Sequence, residues 1–264
     1  MSNQSDFVDI HCHLLPGIDD GSESLEETIR MAKIAYEEGI TTITVTPHQL
    51  GAYRKNTATV IRENLHLTRQ ALQQNAIDLK LLPGGDVRIE ADLVDRLKDG
   101  SVLTLGDHQK HILLELPHET FFPLDSLLDS LQAIGITGIL SHPERNQGLL
   151  AKPVIVDHLV ERGCLMQITA GSLLGTFGER PQRMAMSLLK NHLVHFVATD
   201  AHGSKRRRPL MQKAYDKTRQ LVGETVAHKL FCEFPTKVAC GEDVPSGRLT
   251  TRRKKKWTRW AKAS

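Results

Sequence analysis

No stretch of the sequence approaches the roughly 20 consecutive apolar residues that a membrane-spanning helix needs, so no transmembrane anchor is expected. Met1 to Asp6 are polar and lead straight into a strand-like segment. Without an apolar signal-peptide core, they point to the cytoplasm. Cysteine is scarce. The four present (Cys12, Cys164, Cys232 and Cys240) form no Cys-x-x-Cys pair and no small-domain disulfide pattern. Reduced, mostly buried thiols are therefore expected. A cysteine-dependent phosphatase would need an arginine six positions after its thiolate. Ile18, Ala170, Val238 and Ser246 stand at those positions, which excludes that loop. Acidic residues are missing from one segment: residues 248–264 carry eight bases, with Trp257 and Trp260 among them, and no acid. The rest of the chain holds 26 basic against 31 acidic residues, so the formal charge of +3 hides an acidic body and a basic tail. The body is not a nucleic-acid-binding surface by composition.

What is present is ordinary globular material, 40% apolar and 25% charged over 264 residues, enough to bury a full core. Strand-like runs recur at Phe7–His11, Thr41–Thr46, Leu79–Leu82, His111–Leu116, Ile136–Leu140, Cys164–Thr169 and His195–Thr199. Several are continuously apolar, such as Ile112-Leu113-Leu114, as suits strands covered on both faces of a parallel sheet. Helical patterns separate them. Ser24-Leu25-Glu26-Glu27 reads as a capping box, Leu25, Ile29, Ala32 and Tyr36 recur at helical spacing, and Gly39 is placed to stop the helix. Further helices are expected near 55–74, 91–98, 123–134, 153–162, 180–190 and 209–231. Seven strand–helix units without a break imply a β/α barrel or a doubly wound sheet. Pro245-Ser246-Gly247 reads as a linker, giving a body over 1–244 and a basic tail over 245–264.

The chemistry is concentrated at strand ends. His11-Cys12-His13 follows the first strand and Thr46-Pro47-His48 the second, while Asp86 lies just past the third. Glu115 closes the fourth, His142-Pro143-Glu144-Arg145 follows the fifth, and Asp200-Ala201-His202 follows the seventh. In a parallel β/α barrel these ends open on one face. Imidazole and carboxylate suit zinc, manganese and iron, and a mixed ring can hold more than one ion. A His-x-His pair in an extended chain points both rings the same way. Glu115, on an apolar run, calls for a cation partner. Asp19 and Asp20 ahead of Gly21 have a plainer reading as turn formers. His66, His108, His118, His158, His192, His195 and His228 lack such placement and read as surface or structural. Arg145 and the run Arg206-Arg207-Arg208 could clamp phosphate oxygens.

These segments, Asp9-Ile10-His11-Cys12-His13-Leu14-Leu15-Pro16-Gly17-Ile18-Asp19-Asp20-Gly21, Thr46-Pro47-His48, Ser141-His142-Pro143-Glu144-Arg145-Asn146 and Thr199-Asp200-Ala201-His202, resemble the bacterial metal-dependent protein-tyrosine phosphatases of capsule and exopolysaccharide loci. These belong to the polymerase and histidinol phosphatase (PHP) superfamily. The resemblance spans about residues 7–235. It implies a distorted (β/α)7 barrel with its active site at the C-terminal strand ends, and three divalent ions, usually manganese, with iron, cobalt or zinc as alternatives. Carried over by motif, His11, His13, Asp86 and Asp200 would hold one ion. Asp86, Glu115 and His142 would hold a second, and Asp20, His48 and His202 a third. Arg145 and Arg207 would bind phosphate. The family's bridging glutamate is replaced here by Asp86, one methylene shorter, so bridging is expected either to need a small backbone shift or to yield a weaker, altered metal pair.

The implied activity is hydrolysis of phosphotyrosine by a metal-activated hydroxide, on a membrane-bound bacterial tyrosine kinase of polysaccharide biosynthesis. A phenolate leaving group, with a pKa of about 10, reduces the need for a strong general acid. Three other readings compete. One is a small-molecule phosphatase such as a histidinol phosphatase, and another is an amidohydrolase, which shares the His-x-His and the late aspartate. The last is a non-catalytic, metal-stabilised regulatory module. The basic tail reads either as a solvated extension or as a peripheral contact with an anionic membrane.

Overall fold

The structure, a computed structural model, describes residues 6–249. The basic segment from 250 onward, with both tryptophans, lies outside the described residues. Nine strands lie among the described residues, with helices between all but β2–β3 and β4–β5: β1 (Phe7–Cys12), β2 (Ile40–Val45), β3 (His48–Gln49), β4 (Lys80–Leu82), β5 (Asp86–Arg88), β6 (His111–Glu115), β7 (Thr137–Ser141), β8 (Leu165–Thr169) and β9 (Phe196–Ala198). All seven expected strands form. The two additional ones, β3 and β5, are two and three residues long and carry His48 and Asp86.

Every pairing is parallel, in a three-stranded sheet β1-β2-β4 and a six-stranded sheet β3-β5-β6-β7-β8-β9. The ladder therefore does not run as one continuous ring. Pro47 lacks an amide proton and splits β3 from β2, so the chain passes from one sheet to the other just before His48. At the opposite seam, the His13 amide donates to Ala201 O (2.9 Å) and the Asp200 amide to His11 O (2.7 Å). The strand ends meet there as well.

Strands β1, β8 and β9 are buried at every position, as in strands covered on both faces, and the polar Asp9, His11 and Gln167 among them are held by hydrogen bonds. Covering them are α1 (Leu25–Glu37), α2 (Ala58–Gln74), α3 (Leu93–Lys98), α4 (Asp125–Ala133), α5 (Gln147–Ala151), α6 (Val154–Glu161), α7 (Ala170–Leu174), α8 (Glu179–Lys190), α9 (Gln212–Val222), α10 (Glu224–His228) and α11 (Phe234–Ala239). The helix expected over 209–231 breaks at Gly223, whose φ of 88° no helix accommodates.

Two local expectations change. The buried face of α1 is Thr28, Met31, Ala32 and Ala35, while Leu25 and Tyr36 stay exposed. The polar Thr28 can turn inward because its hydroxyl donates to Leu14 O (2.8 Å) and meets Ser22 Oγ (2.8 Å). The capping box is half made: Ser24 Oγ accepts from the Glu27 amide (3.3 Å), but the Glu27 carboxylate reaches Ser204 instead. The expected linker is docked at its end. His195 holds Gly247 O (2.9 Å), Arg248 pairs with Asp157, and the Leu249 amide donates to His192 O (3.0 Å). As expected for reduced thiols, all four cysteines are free, and all but Cys240 are buried.

Candidate metal centre and active site

Beyond β1 the chain stays extended to His13, so His11 and His13 face one cavity and Cys12 faces away, its sulfur 3.9 Å from Ala201 O. Burial and then the charge of Asp9 raise the Cys12 thiol well above its ordinary range, so it supplies no thiolate nucleophile. His11 Nδ1 donates to Gln167 Oε1 (2.8 Å) and His13 Nδ1 to Asp19 Oδ2 (2.7 Å). Each bond leaves a lone pair on Nε2 of the neutral ring. The two Nε2 atoms lie 3.2 Å apart, so they share either a proton, as the raised pKa of His11 allows, or a metal cation bound beside them.

Acids surround that point. Asp200 Oδ1 is 3.2 Å from His11 Nε2 and 3.5 Å from His13 Nε2. Asp86 Oδ2 is 3.5 Å from His11 Nε2 and 3.4 Å from His48 Nδ1. Asp86 is fully buried, yet neither of its oxygens accepts a hydrogen bond. A desolvated carboxylate without donors is costly, and a metal ion is the partner that would offset it.

All nine residues expected to ligate metal converge. Donor atoms fall within 4.8 Å of one another in four overlapping groups: His13–Asp20–His48–His202, His11–His142–Asp200, His11–His13–Asp86 and His48–Asp86–Glu115. The grouping follows strand order. His48 pairs with Asp86 across β3 and β5, and Arg88 with Glu115 across β5 and β6, which brings His48 to the two acids. At that distance His142, from beyond β7, groups with His11 and Asp200, and its ring lies 5.7 Å from that of His11.

The electrostatics tell the same story. Burial opposes protonation of His11, but Asp200 and Asp86 outweigh it and raise its pKa to about 9. His48 is raised to about 10, burial being overcome by Asp20, Asp86 and Glu115. His142 and His202 go the other way: burial and Arg145 lower His142, while burial and His13 lower His202 to about 3. Glu115 is pushed up by burial and by Asp86. The cluster is short of positive charge, as a site built to take cations would be.

Arg145 and Arg207 both pair with Asp200 Oδ2, Arg207 at 2.5 Å. Their guanidinium carbons sit 4.5 and 5.8 Å from the ring centroid of Phe177. Arg206 and Arg208 are exposed, so Arg207 is the member of the run that enters the site. Three residues here hold left-handed backbone without being glycine: His142 (φ 33°), Asp200 (φ 50°) and Arg207 (φ 48°). Each such residue costs on the order of 1–3 kcal/mol and persists only where its surroundings demand it. The cavity they enclose is about 160 Å³ and also touches His118.

Sequence reasoning missed the supports. Asp19 is no mere turn former: besides His13 it accepts from the Gly21 and His48 amides (3.0 Å each). Buried Asp9 ties the ends of β1 and β9, accepting from the His11 amide (3.2 Å), the Thr199 amide (3.0 Å) and Thr199 Oγ1 (2.5 Å). Tyr53 stacks on His48 at 5.3 Å, and His118, read as surface or structural, borders the cavity. Glu144 and Asn146 are structural: Glu144 accepts from the Thr169 amide and Ser172 Oγ, and Asn146 caps α5. The one sequence signal for these supports was Asp9 and Asp19 flanking the His-x-His run.

Residues 7–239 match the family described as Capsular polysaccharide synthesis, CpsB/CapC. The chain is 38% identical over 210 residues to the tyrosine-protein phosphatase YwqE of Bacillus subtilis, covering 79% of this chain and 82% of that protein. It is 30% identical over 237 residues to the tyrosine-protein phosphatase CpsB of Streptococcus pneumoniae, covering 88% and 98%. A crystal structure from a study of YwqE and CpsB, described as metal-dependent tyrosine phosphatases, superposes with a TM-score of 0.87 at 33% identity, covering 92% of this chain and 100% of that one.

Proposed function

Since this chain belongs to the CpsB/CapC family of capsular polysaccharide synthesis, we propose that it is a metal-dependent tyrosine-protein phosphatase acting in such a pathway. The observation that carries the reading is the unsatisfied, fully buried carboxylate of Asp86 between the imidazoles of His11 and His48. Those donors fit divalent ions, manganese being our choice, with iron, cobalt or zinc as alternatives. His11, His13, Asp86 and Asp200 would hold one ion, Asp86, Glu115 and His142 a second, and Asp20, His48 and His202 a third. Ions bound there would neutralise phosphoryl charge and acidify water at neutral pH.

The protein's own groups do the rest. Arg145 and Arg207 converge from two loops on Asp200, and in the complex they can present their remaining N–H donors to two phosphoryl oxygens. Gln167 and Asp19 fix the tautomers of His11 and His13, so both rings meet the site without rotating. Tyr53 stacks on the face of His48 and so limits the rotation of that ring. We read the two parallel sheets as arcs of one distorted barrel, residues 1–244 as the catalytic body and 245–264 as a basic extension.

Among the described residues no helix is long and apolar enough to cross a membrane. A cytoplasmic enzyme whose substrate is a membrane-bound tyrosine kinase accords with that. Arg248 and Leu249 are fastened beside His192, at the start of β9 and hence opposite the catalytic strand ends.

The test is hydrolysis of a phosphotyrosine peptide by metal-stripped protein, with and without manganese, beside a His142→Ala control. Activity restored by manganese and absent from the variant is expected. No turnover with manganese, iron, cobalt or zinc, despite measured metal binding, would replace this reading with the regulatory module.

A further inference from the structure

Resting on the phosphotyrosine reading, we infer that the loop 205–208 is a specificity subsite for acidic residues beside the phosphotyrosine, with Lys205, Arg206 and Arg208 as its determinants. Against the catalytic cavity, on the far side of Arg207, lies a second cavity of about 480 Å³. Leu174, Phe177 and Leu210 give it an apolar floor, and Lys205, Arg206, Arg207 and Arg208 line it with no carboxylate among them. The other face of Lys205 and Arg206 borders a larger cavity that holds Asp20, Glu23 and Glu27, so the acid-free side of the loop is the one toward Phe177 and Leu210. Arg207 is committed to Asp200, whereas no carboxylate lies within 4.0 Å of Lys205, Arg206 or Arg208 among the described residues.

The loop is also fixed. Glu27 of α1 leaves its own helix cap to accept from the Ser204 amide (2.6 Å) and hydroxyl (3.0 Å). Arg207 O accepts from the His202 amide (2.9 Å), Arg208 O accepts from the Leu210 amide (2.8 Å), and Pro209 between them is buried. Three cations are thus displayed from a tethered backbone, so binding them costs little ordering of the loop. Phe177 joins the two cavities: it stacks under both phosphate-facing guanidiniums and forms the floor of the second. The two cavities share Arg207 as a wall, so the residues flanking a phosphotyrosine held in the first lie beside the second. An acidic peptide flank is the occupant that matches three bases without a carboxylate partner and no acid in the cavity wall.

The test uses manganese-loaded full-length protein and phosphotyrosine peptides with glutamate, serine or lysine at the flanking positions on either side, plus a small aryl phosphate. We expect kcat/KM about tenfold higher for a glutamate flank than for serine, expressed in KM and shrinking as salt rises, since exposed pairs are screened. K205A/R206A/R208A should abolish that preference and leave aryl phosphate turnover unchanged, and R206E/R208E should favour the lysine flank. Equal kcat/KM for all flanks, or a preference that survives the triple variant, overturns the inference. Failure of every phosphotyrosine substrate would sink the enzymatic reading instead. Fluorescence anisotropy with non-hydrolysable phosphonate peptides would then decide the subsite, upheld by a glutamate preference and overturned by none. A triple variant that loses only phosphatidylserine-vesicle binding would mark a membrane contact and also overturn it.

Discussion

Lowering the pH should loosen the protein through a histidine remote from the catalytic chemistry. His195 is fully buried at the start of β9. Its Nδ1 accepts from the Met166 amide of β8 (3.0 Å), and its Nε2–H donates to Gly247 O (2.9 Å). The imidazole is therefore neutral with one tautomer. A proton added at Nδ1 would face the Met166 N–H. Burial lowers its pKa from 6.5 to about 4, the bond to Gly247 acting only weakly against this. Because the folded pKa lies below the unfolded one, the unfolded chain binds more protons between them. The contribution is complete above pH 6.5 and is lost as pH falls toward about 4. The full difference is about 3 kcal/mol, of which about 2.5 kcal/mol is gone by pH 4.5. Against a total of about 5–15 kcal/mol for a typical domain, that is a large fraction. Urea unfolding of metal-free protein at pH 7.5 and 4.5 measures it, compared with His195→Gln, whose amide can accept from Met166 and donate to Gly247 without titrating. The wild type should lose about 2.5 kcal/mol more than the variant between the two pH values. Equal losses would refute the assignment of His195 as a buried neutral group.

Two further outcomes follow from the supports of the site. Asp19→Asn removes the carboxylate that fixes the His13 tautomer, so manganese affinity should fall by about 10–100-fold. Thermal shift reads this directly, because a ligand at 100 times its Kd adds about 2.7 kcal/mol in the wild type; an unchanged shift in the variant would contradict the role given to Asp19. Phe177→Ala removes the ring beneath Arg145 and Arg207, and phosphotyrosine kcat/KM should drop by about tenfold, for a cation–π contact of about 1–2 kcal/mol. Manganese binding should be preserved, and its loss would show that Phe177 supports the fold rather than the arginines.

Seven strands could be read directly because parallel strands covered on both faces need continuous apolar runs, and Ile112-Leu113-Leu114 or Phe196-Val197-Ala198 have few other uses. The nine candidate ligands were legible for a related reason: imidazoles and carboxylates at the ends of such runs have no core role to play. Their supports were not legible. Gln167 lies within β8, 156 residues from the His11 it orients, and Phe177 follows α7, so only the folded chain makes either meaningful. Helix α1 misled for a different reason: a threonine that satisfies its hydroxyl locally can occupy the core face that its neighbours' hydropathy assigns elsewhere.

Asp86 joins the two levels. Its side chain is a methylene shorter than the glutamate the resemblance implies at this position, and the sequence left open a compensating backbone shift or a weaker, altered metal pair. The structure supplies a local reason for a close backbone. Gly85 lies against Gln49, so near that a Cβ there would sit 2.4 Å from Gln49 Oε1. Gln49 cannot retreat, since it donates to Asn56 O (2.7 Å) and accepts from the Leu103 amide (2.9 Å). The Gly85–Gln49 contact holds the start of β5 tightly against β3, in the register that sets Asp86 opposite His48. A short carboxylate then reaches both His11 and His48 at about the same distance, 3.5 and 3.4 Å. The glycine that lets the backbone in and the aspartate set between the two imidazoles are adjacent residues, so the placement of the carboxylate at 86 depends on the residue before it.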